Sequence, residues 1–456
     1  MKIINPATEE MIEEIAEDNR FSLSNKFQSL KEAQLHWQQI ALADRIKPLQ
    51  RFAELLETRR DHLAAVLTSE VGKPLQQSLN ELKGAITRIH WLTQNAEKYL
   101  SEEWMMSGTN PEEKIVYEPL GVICNISAWN YPYLVGINVF VPALIAGNAV
   151  MYKPSEFATL TGIEISKLLK DAGIPEQVFQ LALGGGAVGE ALLHIPFDGY
   201  FFTGSYKTGK SVYEKASLKM VPCQCELGGK DPLYVADDVE DIHAAAVSTA
   251  DGAFYNSGQS CCSVERIYVH EKIYDEYVEK FVQEVKTWKM GLPTGEAVFI
   301  GPLTRKDQPA VLDQQVREAV RKGAIVLTGG KRPAHKGYYF EPTVLVNVTN
   351  DMSLMQDESF GPMIGIMKVK DDEEAVKWMQ DTVYGLTASV YSASRQRAEG
   401  ILQQLNVGTG YWNCCDRVSA ALPWSGRNHS GIGATLSHIG LRAFTKTKAY
   451  HLKSPA

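Results

Sequence analysis

Metal-ligand spacing is missing from this chain. None of its seven cysteines stands at C-x-x-C spacing from another, and no histidine cluster accompanies them. Structural zinc draws on closely spaced thiolates and imidazoles, so no metal is expected. An excess of basic charge is missing too. Lysine and arginine number 46 against 54 acidic residues, and the net charge of −8 is spread along the chain. That balance speaks against nucleic acid as a partner. The N-terminus, "MKIINPATEEMIEEIAED", has no apolar stretch and does not read as a secretory signal. An odd number of cysteines in such a chain points to a reducing, cytoplasmic setting. Long uninterrupted hydrophobic runs are absent as well. The most apolar window, residues 134–152, is broken by Asn138, Pro142, Gly147 and Asn148. It reads as a buried helix, a turn and a strand, so no membrane partner is expected. There is no internal repeat and no low-complexity linker.

What is present is length and alternation. A chain of 456 residues exceeds what one core serves, so two or three domains are expected. Apolar residues recur at helical spacing over 24–100. After "GTNPEEK" short β-rich runs alternate with amphipathic segments: "GVICNIS", a helix from about 134, "AVMYKP", "LTGIEISKLLKDAG", "VFQLAL", "AVGEALLHI", "DGYFFTG", "YKTGKSVYEKAS". Such alternation indicates a parallel, doubly wound sheet. A second series starts at "CELGGKDPLYV", with a helix near 239–257, the strand "RIYV" and a helix near 273–289. The end, "AFTKTKAYHLKSPA", reads as an exposed strand of the kind that pairs with another subunit.

Two adjacent cysteines, Cys261 and Cys262 in "YNSGQSCCSVERIYV", pose the chemical question. Buried free cysteines are commonly just small hydrophobes. A reactive one must reach the thiolate and needs a partner to do so. The nearest histidines, His243 and His270, fall in a helix and at a strand end with no motif around them, which disfavours a papain-like pair. Glu226 in "CELGGK" lies at a strand's C-terminal end, where such sheets bind ligands. Asn130 in "SAWNYP" follows a strand and offers an amide to a developing oxyanion; an Asx turn is its ordinary use. Lys153 and Glu156 in "YKPSE" suit ribose hydroxyls. "FTGSYKTG" and "ALGGGAVGE" offer backbone N–H groups for phosphate, though neither is a G-x-G-x-x-G after the first strand.

Taken together, "AWNYP", "KPSE", "FTGS", "ELGGK", "GQSC", "ESFGP" and "PWSGRNHSGIG" resemble the aldehyde dehydrogenase superfamily, in order and over nearly the whole chain, from "INPAT" to "KTK". Two positions depart from it: Ala128 stands where Pro is commoner, and Ser425 where a second Gly is. The resemblance implies an α/β fold with a Rossmann-like cofactor domain (1–106 and 121–227), an α/β catalytic domain (228–432) and a small β oligomerisation arm (107–120 and 433–456). It implies a homodimer or homotetramer. Cys261 is then the nucleophile and Cys262 a wall of the pocket. Asn130 holds the oxyanion, and Glu226 activates the water that hydrolyses a thioester; the branch that passes the acyl group to coenzyme A generally lacks that Glu. Lys153 and Glu156 are placed at the adenosine ribose, Gly204, Ser205 and Gly184 on the phosphate side, Trp129 near the cofactor, Phe360 beside the nicotinamide ring, and Glu358 on its ribose. NAD is the implied cofactor, with NADP less preferred because Glu156 repels a 2′-phosphate.

The implied substrate is a small aldehyde. Tyr131, Tyr255 and Trp424 line its tunnel with Asn138, Ser260 and Cys262. Aromatic faces attract a cationic end group, as in betaine aldehyde and aminoaldehyde enzymes, and the same rings also form plain apolar tunnels. Succinic semialdehyde enzymes carry Arg where Asn138 stands. A cationic or neutral aldehyde is therefore expected over an anionic one, although Arg417 adds a positive charge that Asp416 offsets. Two other readings remain: a thiol hydrolase or esterase built on Cys261 and Glu226, and a non-catalytic binding protein on the same fold.

Overall fold

The alternating β-rich and amphipathic segments assemble into two largely parallel sheets. The computed structural model describes residues 1–455. The first sheet has the order Gly431–Ile432, Cys223–Glu226, Gly199–Thr203, Val122–Ile126, Ala149–Lys153, Phe179–Leu181. All neighbours are parallel except the short Gly431–Ile432 strand, which runs against Cys223–Glu226. The chain builds outward from Val122–Ile126 in one direction, then returns to its other side. Ligands bind at such a reversal, outside the strands' C-terminal ends. Asn130, Lys153, Gly184, Gly204 and Glu226 all follow or end these strands.

The second sheet has the order Ile325–Thr328, Thr343–Val346, Met363–Val369, Val264–His270, Asp231–Val235, Thr387–Tyr391, Thr409–Trp412. Only the edge strand Ile325–Thr328 is antiparallel. It contributes from the opposite end: Cys261 precedes Val264–His270, and Glu358 and Phe360 precede Met363–Val369. C-terminal ends of one sheet thus meet N-terminal ends of the other.

Four helices, Arg20–Trp37, Leu42–Thr58, Arg60–Val71 and Leu75–Leu100, join the first sheet in one apolar core. Two further cores occupy the faces of the second sheet. The apolar window forms the helix Pro132–Ile145, a turn and the strand Ala149–Lys153, all largely buried. No helix among the described residues is long and apolar enough to cross a membrane.

A third sheet pairs Thr445–Leu452, Glu112–Pro119 and Glu103–Met106, antiparallel throughout. Its first strand begins at Glu103, which faces Ile115 across the ladder. Residues 433–444 do not extend the arm: the helix Ser437–Arg442 packs on Leu75–Leu100, and Phe444 stacks on Phe201 at 4.4 Å. An N-terminal hairpin, Lys2–Ile4 with Met11–Glu14, was not anticipated from the acidic sequence.

The loop that carries Cys261 leans on the second sheet through Gly258. Its φ is +70°, and a Cβ there would lie 2.2 Å from the Gly361 carbonyl oxygen. Gly258→Ala combines a left-handed Ala with a backbone clash, a loss of roughly 2 kcal/mol or more. Thermal inactivation of the purified variant should occur several degrees below that of the unmodified protein; equal half-lives would show that the loop relaxes freely.

Candidate active site

The helix Ile242–Phe254 does not run to 257 as its apolar pattern suggests. It breaks into a short 3-10 turn, Tyr255–Gly258, in which Asn256 and Ser257 both take φ near 55°. Left-handed backbone is tolerated by Asn but strained for Ser, and here the tertiary bonds hold it. Ser257 Oγ donates to the Gly301 carbonyl and accepts from the Gly301 N–H, each at 3.1 Å. Asn256 Nδ2 donates to the carbonyls of Asn130 at 3.2 Å and Gln259 at 3.1 Å. Gln259 Oε1 accepts from Thr304 N–H at 2.9 Å. Every polar residue before the cysteines is anchored.

The two cysteines then part. Cys261 is half-buried, and Cys262 is buried. Cys262 Sγ donates to Asp416 Oδ1 at 2.9 Å, and Ser260 Oγ to the same oxygen at 3.3 Å. Cys261 faces Glu226, whose Oε1 accepts from Trp424 Nε1 at 3.2 Å. Burial raises the Glu226 carboxyl to about 7, against the pull of Trp424, Cys261 and the Arg88 cation. The Cys261 thiol is pushed well up by its contact with Cys262, by burial and by the facing carboxylate. At neutral pH this is a thiol beside a partly ionised carboxyl, an arrangement in which proton transfer from one to the other would generate a thiolate. Asn130 is buried, and its Nδ2 donates to the Gln259 carbonyl at 3.1 Å. That bond fixes the amide and leaves one N–H for another acceptor.

The candidates for holding a cofactor ring the first sheet. Trp129 meets Phe360 edge-on at 5.5 Å and Phe157 at 6.4 Å. Lys153 is 4% exposed; its Nζ donates to the Pro154 carbonyl at 3.2 Å and stands 3.9 Å from Glu156. Ser205 precedes the helix Tyr206–Ser217, and its Oγ turns to Thr208 Oγ1 at 3.1 Å without capping the backbone. The first-turn N–H groups therefore remain open to an anion. Gly204 N–H donates to the Glu226 carbonyl at 3.1 Å, tying the phosphate-side turn to the base. Glu358 lies against the "ELGGK" turn and accepts from Gly229 N–H at 3.1 Å. Burial, then the neighbouring Glu265, raises it to about 8. Gly184 is engaged by the chain itself: a Cβ there would lie 2.3 Å from Val188 Cγ2 and 2.9 Å from Glu17 Oε2.

A cavity of about 470 Å³ opens onto Cys261. Tyr131, Asn138, Tyr255, Ser260, Cys262 and Trp424 all line it, with Glu226. Sequence pattern alone missed its far wall, which is one face of the helix Leu75–Leu100. Gln77, Glu81, Gly84 and Arg88 line the cavity at spacings of four, three and four. Polar residues on an otherwise buried helix face were the readable signal. Glu81 is paired with Lys73 in a fully buried ion pair and accepts from Tyr133 N–H at 2.9 Å. Lys73 Nζ covers one face of Tyr131 at 3.8 Å.

A sequence profile described as "Aldehyde dehydrogenase family" matches residues 1–450. The chain belongs to the aldehyde dehydrogenase family. Among curated members it is 32% identical over 446 residues to succinate-semialdehyde dehydrogenase [NADP(+)] of Deinococcus radiodurans, covering 98% of this chain and 93% of that one. It is 32% identical over 463 residues to betaine aldehyde dehydrogenase of Bacillus subtilis, covering 100% and 94%. Among solved aldehyde dehydrogenases, a betaine aldehyde dehydrogenase from Staphylococcus aureus in complex with NAD+ superposes with a TM-score of 0.95 at 30% identity, over 99% of this chain and 92% of that one. The α/β architecture of this chain is therefore the aldehyde dehydrogenase fold.

The two thiols make distinct predictions. Cys261→Ser should abolish aldehyde-dependent NADH formation, whereas Cys262→Ser, which keeps a donor for Asp416, should retain most of it. Loss confined to Cys262→Ser would assign the nucleophile one residue later.

Proposed function

We propose that the protein oxidises an aldehyde to its carboxylic acid with NAD as acceptor, through a thioester hydrolysed by water. The observation that carries this reading is Glu226 facing Cys261 at the mouth of one cavity, with its carboxyl near neutrality. Glu226 takes the thiol proton, and Cys261 sulfur bonds the carbonyl carbon. The carbonyl oxygen becomes an oxyanion, received by the free Asn130 N–H and a backbone N–H near Cys261. A nicotinamide held beside Trp129 and Phe360 would supply the acceptor for the carbon's hydrogen and its electron pair, and loss of that hydride from the Cys261 adduct would leave a thioester. Once Glu226 has released the thiol proton to solvent, water adds to the thioester carbon as the carboxylate takes its proton. The carbon–sulfur bond breaks, and the acid departs. A hydrolase without redox chemistry would leave the uncapped helix start at Ser205 and the buried Lys153 without a purpose.

The residues present fit a dinucleotide. Open N–H groups at a helix of 12 residues suit a pyrophosphate, and the Trp129–Phe360 pair offers an apolar floor. Lys153 and Glu156 present a donor and an acceptor to a ribose. The relatives' names divide between NAD and NADP, and between cationic and carboxylate-bearing aldehydes. We read the three-stranded sheet as an oligomerisation arm, since it exposes Trp104, Met105 and Met106. The soluble cytoplasm remains the compartment we propose.

Two outcomes test the mechanism and the cofactor. Turnover should rise with pH around a midpoint near 7, because only the ionised Glu226 accepts a proton. Asp416, raised by burial to about 7 as well, is the competing titration. Glu226→Gln should lose the rise, while Asp416→Asn should keep it; the reverse would make Asp416 the base. In kcat/KM, NAD should exceed NADP, and Glu156→Gln should narrow the gap by removing a charge worth on the order of 1 kcal/mol against a 2′-phosphate. Better efficiency with NADP in the unmodified protein would overturn the assignment.

A further inference from the structure

One buried cation, Arg88, lines the substrate cavity without an ion pair; the carboxylates of Glu81 and Glu226 act on it only from beyond ion-pair distance. Arg88 is 8% exposed. Its Nη1 donates to Asn138 Oδ1 at 2.9 Å and to the Leu134 carbonyl at 3.3 Å. Its Nε and Nη2 make no hydrogen bond, and it forms no ion pair among the described residues. Glu81, seven residues earlier on the same helix, is already taken by Lys73. Burial lowers the Arg88 guanidinium only to about 10, so it stays charged at neutral pH. Buried charges are ordinarily paired, and an unpaired one beside an open cavity lacks an anion there.

The other charged groups of the cavity do not supply that anion. Glu226 is held by Trp424, and Asp416 by Cys262 and Ser260, all around the nucleophile. Arg417, also on the cavity wall, adds a second positive charge. Tyr131, Tyr255 and Trp424 present rings to the same cavity, and Lys73, which does not line it, lies over one face of Tyr131. The expectation of a cationic or neutral aldehyde rested on the rings of Tyr131, Tyr255 and Trp424, and on Asn138 standing where enzymes of carboxylate-bearing semialdehydes carry an Arg. The structure keeps Asn138 and brings a guanidinium to it from another helix.

We propose that Arg88, braced by Asn138, binds a carboxylate at the far end of the aldehyde, so that the preferred substrates are ω-carboxy aldehydes. A guanidinium at the cavity wall whose Nε and Nη2 have no partner can meet a carboxylate in a two-point bond. The inference rests on the aldehyde oxidation proposed above. It is tested with succinic semialdehyde, uncharged butanal and cationic aminobutyraldehyde. In the unmodified protein, kcat/KM for succinic semialdehyde should exceed that for either of the others at least tenfold. Arg88→Met should reduce the ratio of succinic semialdehyde to butanal by tenfold or more, chiefly through KM, and Arg88→Lys should keep part of it. Succinate should compete with butanal in the unmodified protein. Equal losses on both aldehydes in Arg88→Met would mean that the cation acts through Glu226, and would overturn the proposal. So would the absence of both a preference and succinate inhibition in the unmodified protein, a result that needs no folded variant. Butanal oxidised without such a preference would sink only this inference, whereas no aldehyde oxidised at all would sink the function itself.

Discussion

The candidate site depends on one buried amide. Asn256 Nδ2 holds the Asn130 carbonyl, which belongs to a loop of the first sheet, and the Gln259 carbonyl, which belongs to the cysteine loop of the second. Asn130 returns a bond to the same Gln259 oxygen. Asn130 and the loop that carries Cys261 are thus registered to each other across the junction of two sheets. Each such bond contributes only about 1 kcal/mol net, but an orphaned buried partner costs roughly 1–3 kcal/mol. The restraint is strong because breaking it strands carbonyls where no water reaches. Asn256 adopts left-handed backbone to make the reach, and Asn tolerates that better than most residues.

A second restraint comes from the helix Leu75–Leu100. Glu81 accepts from Tyr133 N–H in the first turn of the helix Pro132–Ile145, where a carboxylate is favoured by the helix dipole. That turn begins directly after Asn130 and Tyr131. Lys73 neutralises Glu81 and lies over Tyr131. Buried pairs of this kind add little net stability, but removing one partner costs about 3–5 kcal/mol. The pair is better understood as setting the height of the Asn130 loop over Cys261. The same helix face then continues through Arg88 to the far wall of the cavity.

Much of this is legible in the amino-acid sequence. Strand–helix alternation places the two parallel sheets, and local motifs place Cys261, Glu226 and Asn130 at their ends. What escapes is whatever depends on pairing distant segments. The break at Tyr255–Gly258 follows from bonds to Gly301 and Asn130, which no local pattern around Phe254 contains. The strand Glu103–Met106 is recognisable only once Glu112–Pro119 lies beside it. Residues 433–444 read as tail because the core they enter, around Phe201, is more than 200 residues away in sequence. Arg88 is invisible for the opposite reason: a charged residue in an amphipathic helix is presumed to face solvent until its face is known.

These restraints explain why the cavity tolerates so many ionisable groups. Glu226 and Asp416 are both raised to about 7 by burial, and the Cys261 thiol is pushed up as well. Near neutrality Glu226 and Asp416 are therefore each partly protonated, and the surrounding protein avoids the full desolvation of both charges at once. Arg88 is the exception, since a guanidinium cannot shed its proton at neutral pH. Its field draws Glu226 toward the ionised form while burial pushes the other way. The balance leaves a base that titrates where it is used, and a cation whose remaining hydrogen-bonding capacity is directed at whatever enters the cavity. A carboxylate arriving there would also screen Arg88 from Glu226, raising the base further, so that charge at the far end of the substrate and proton affinity at the reacting end are coupled through one side chain.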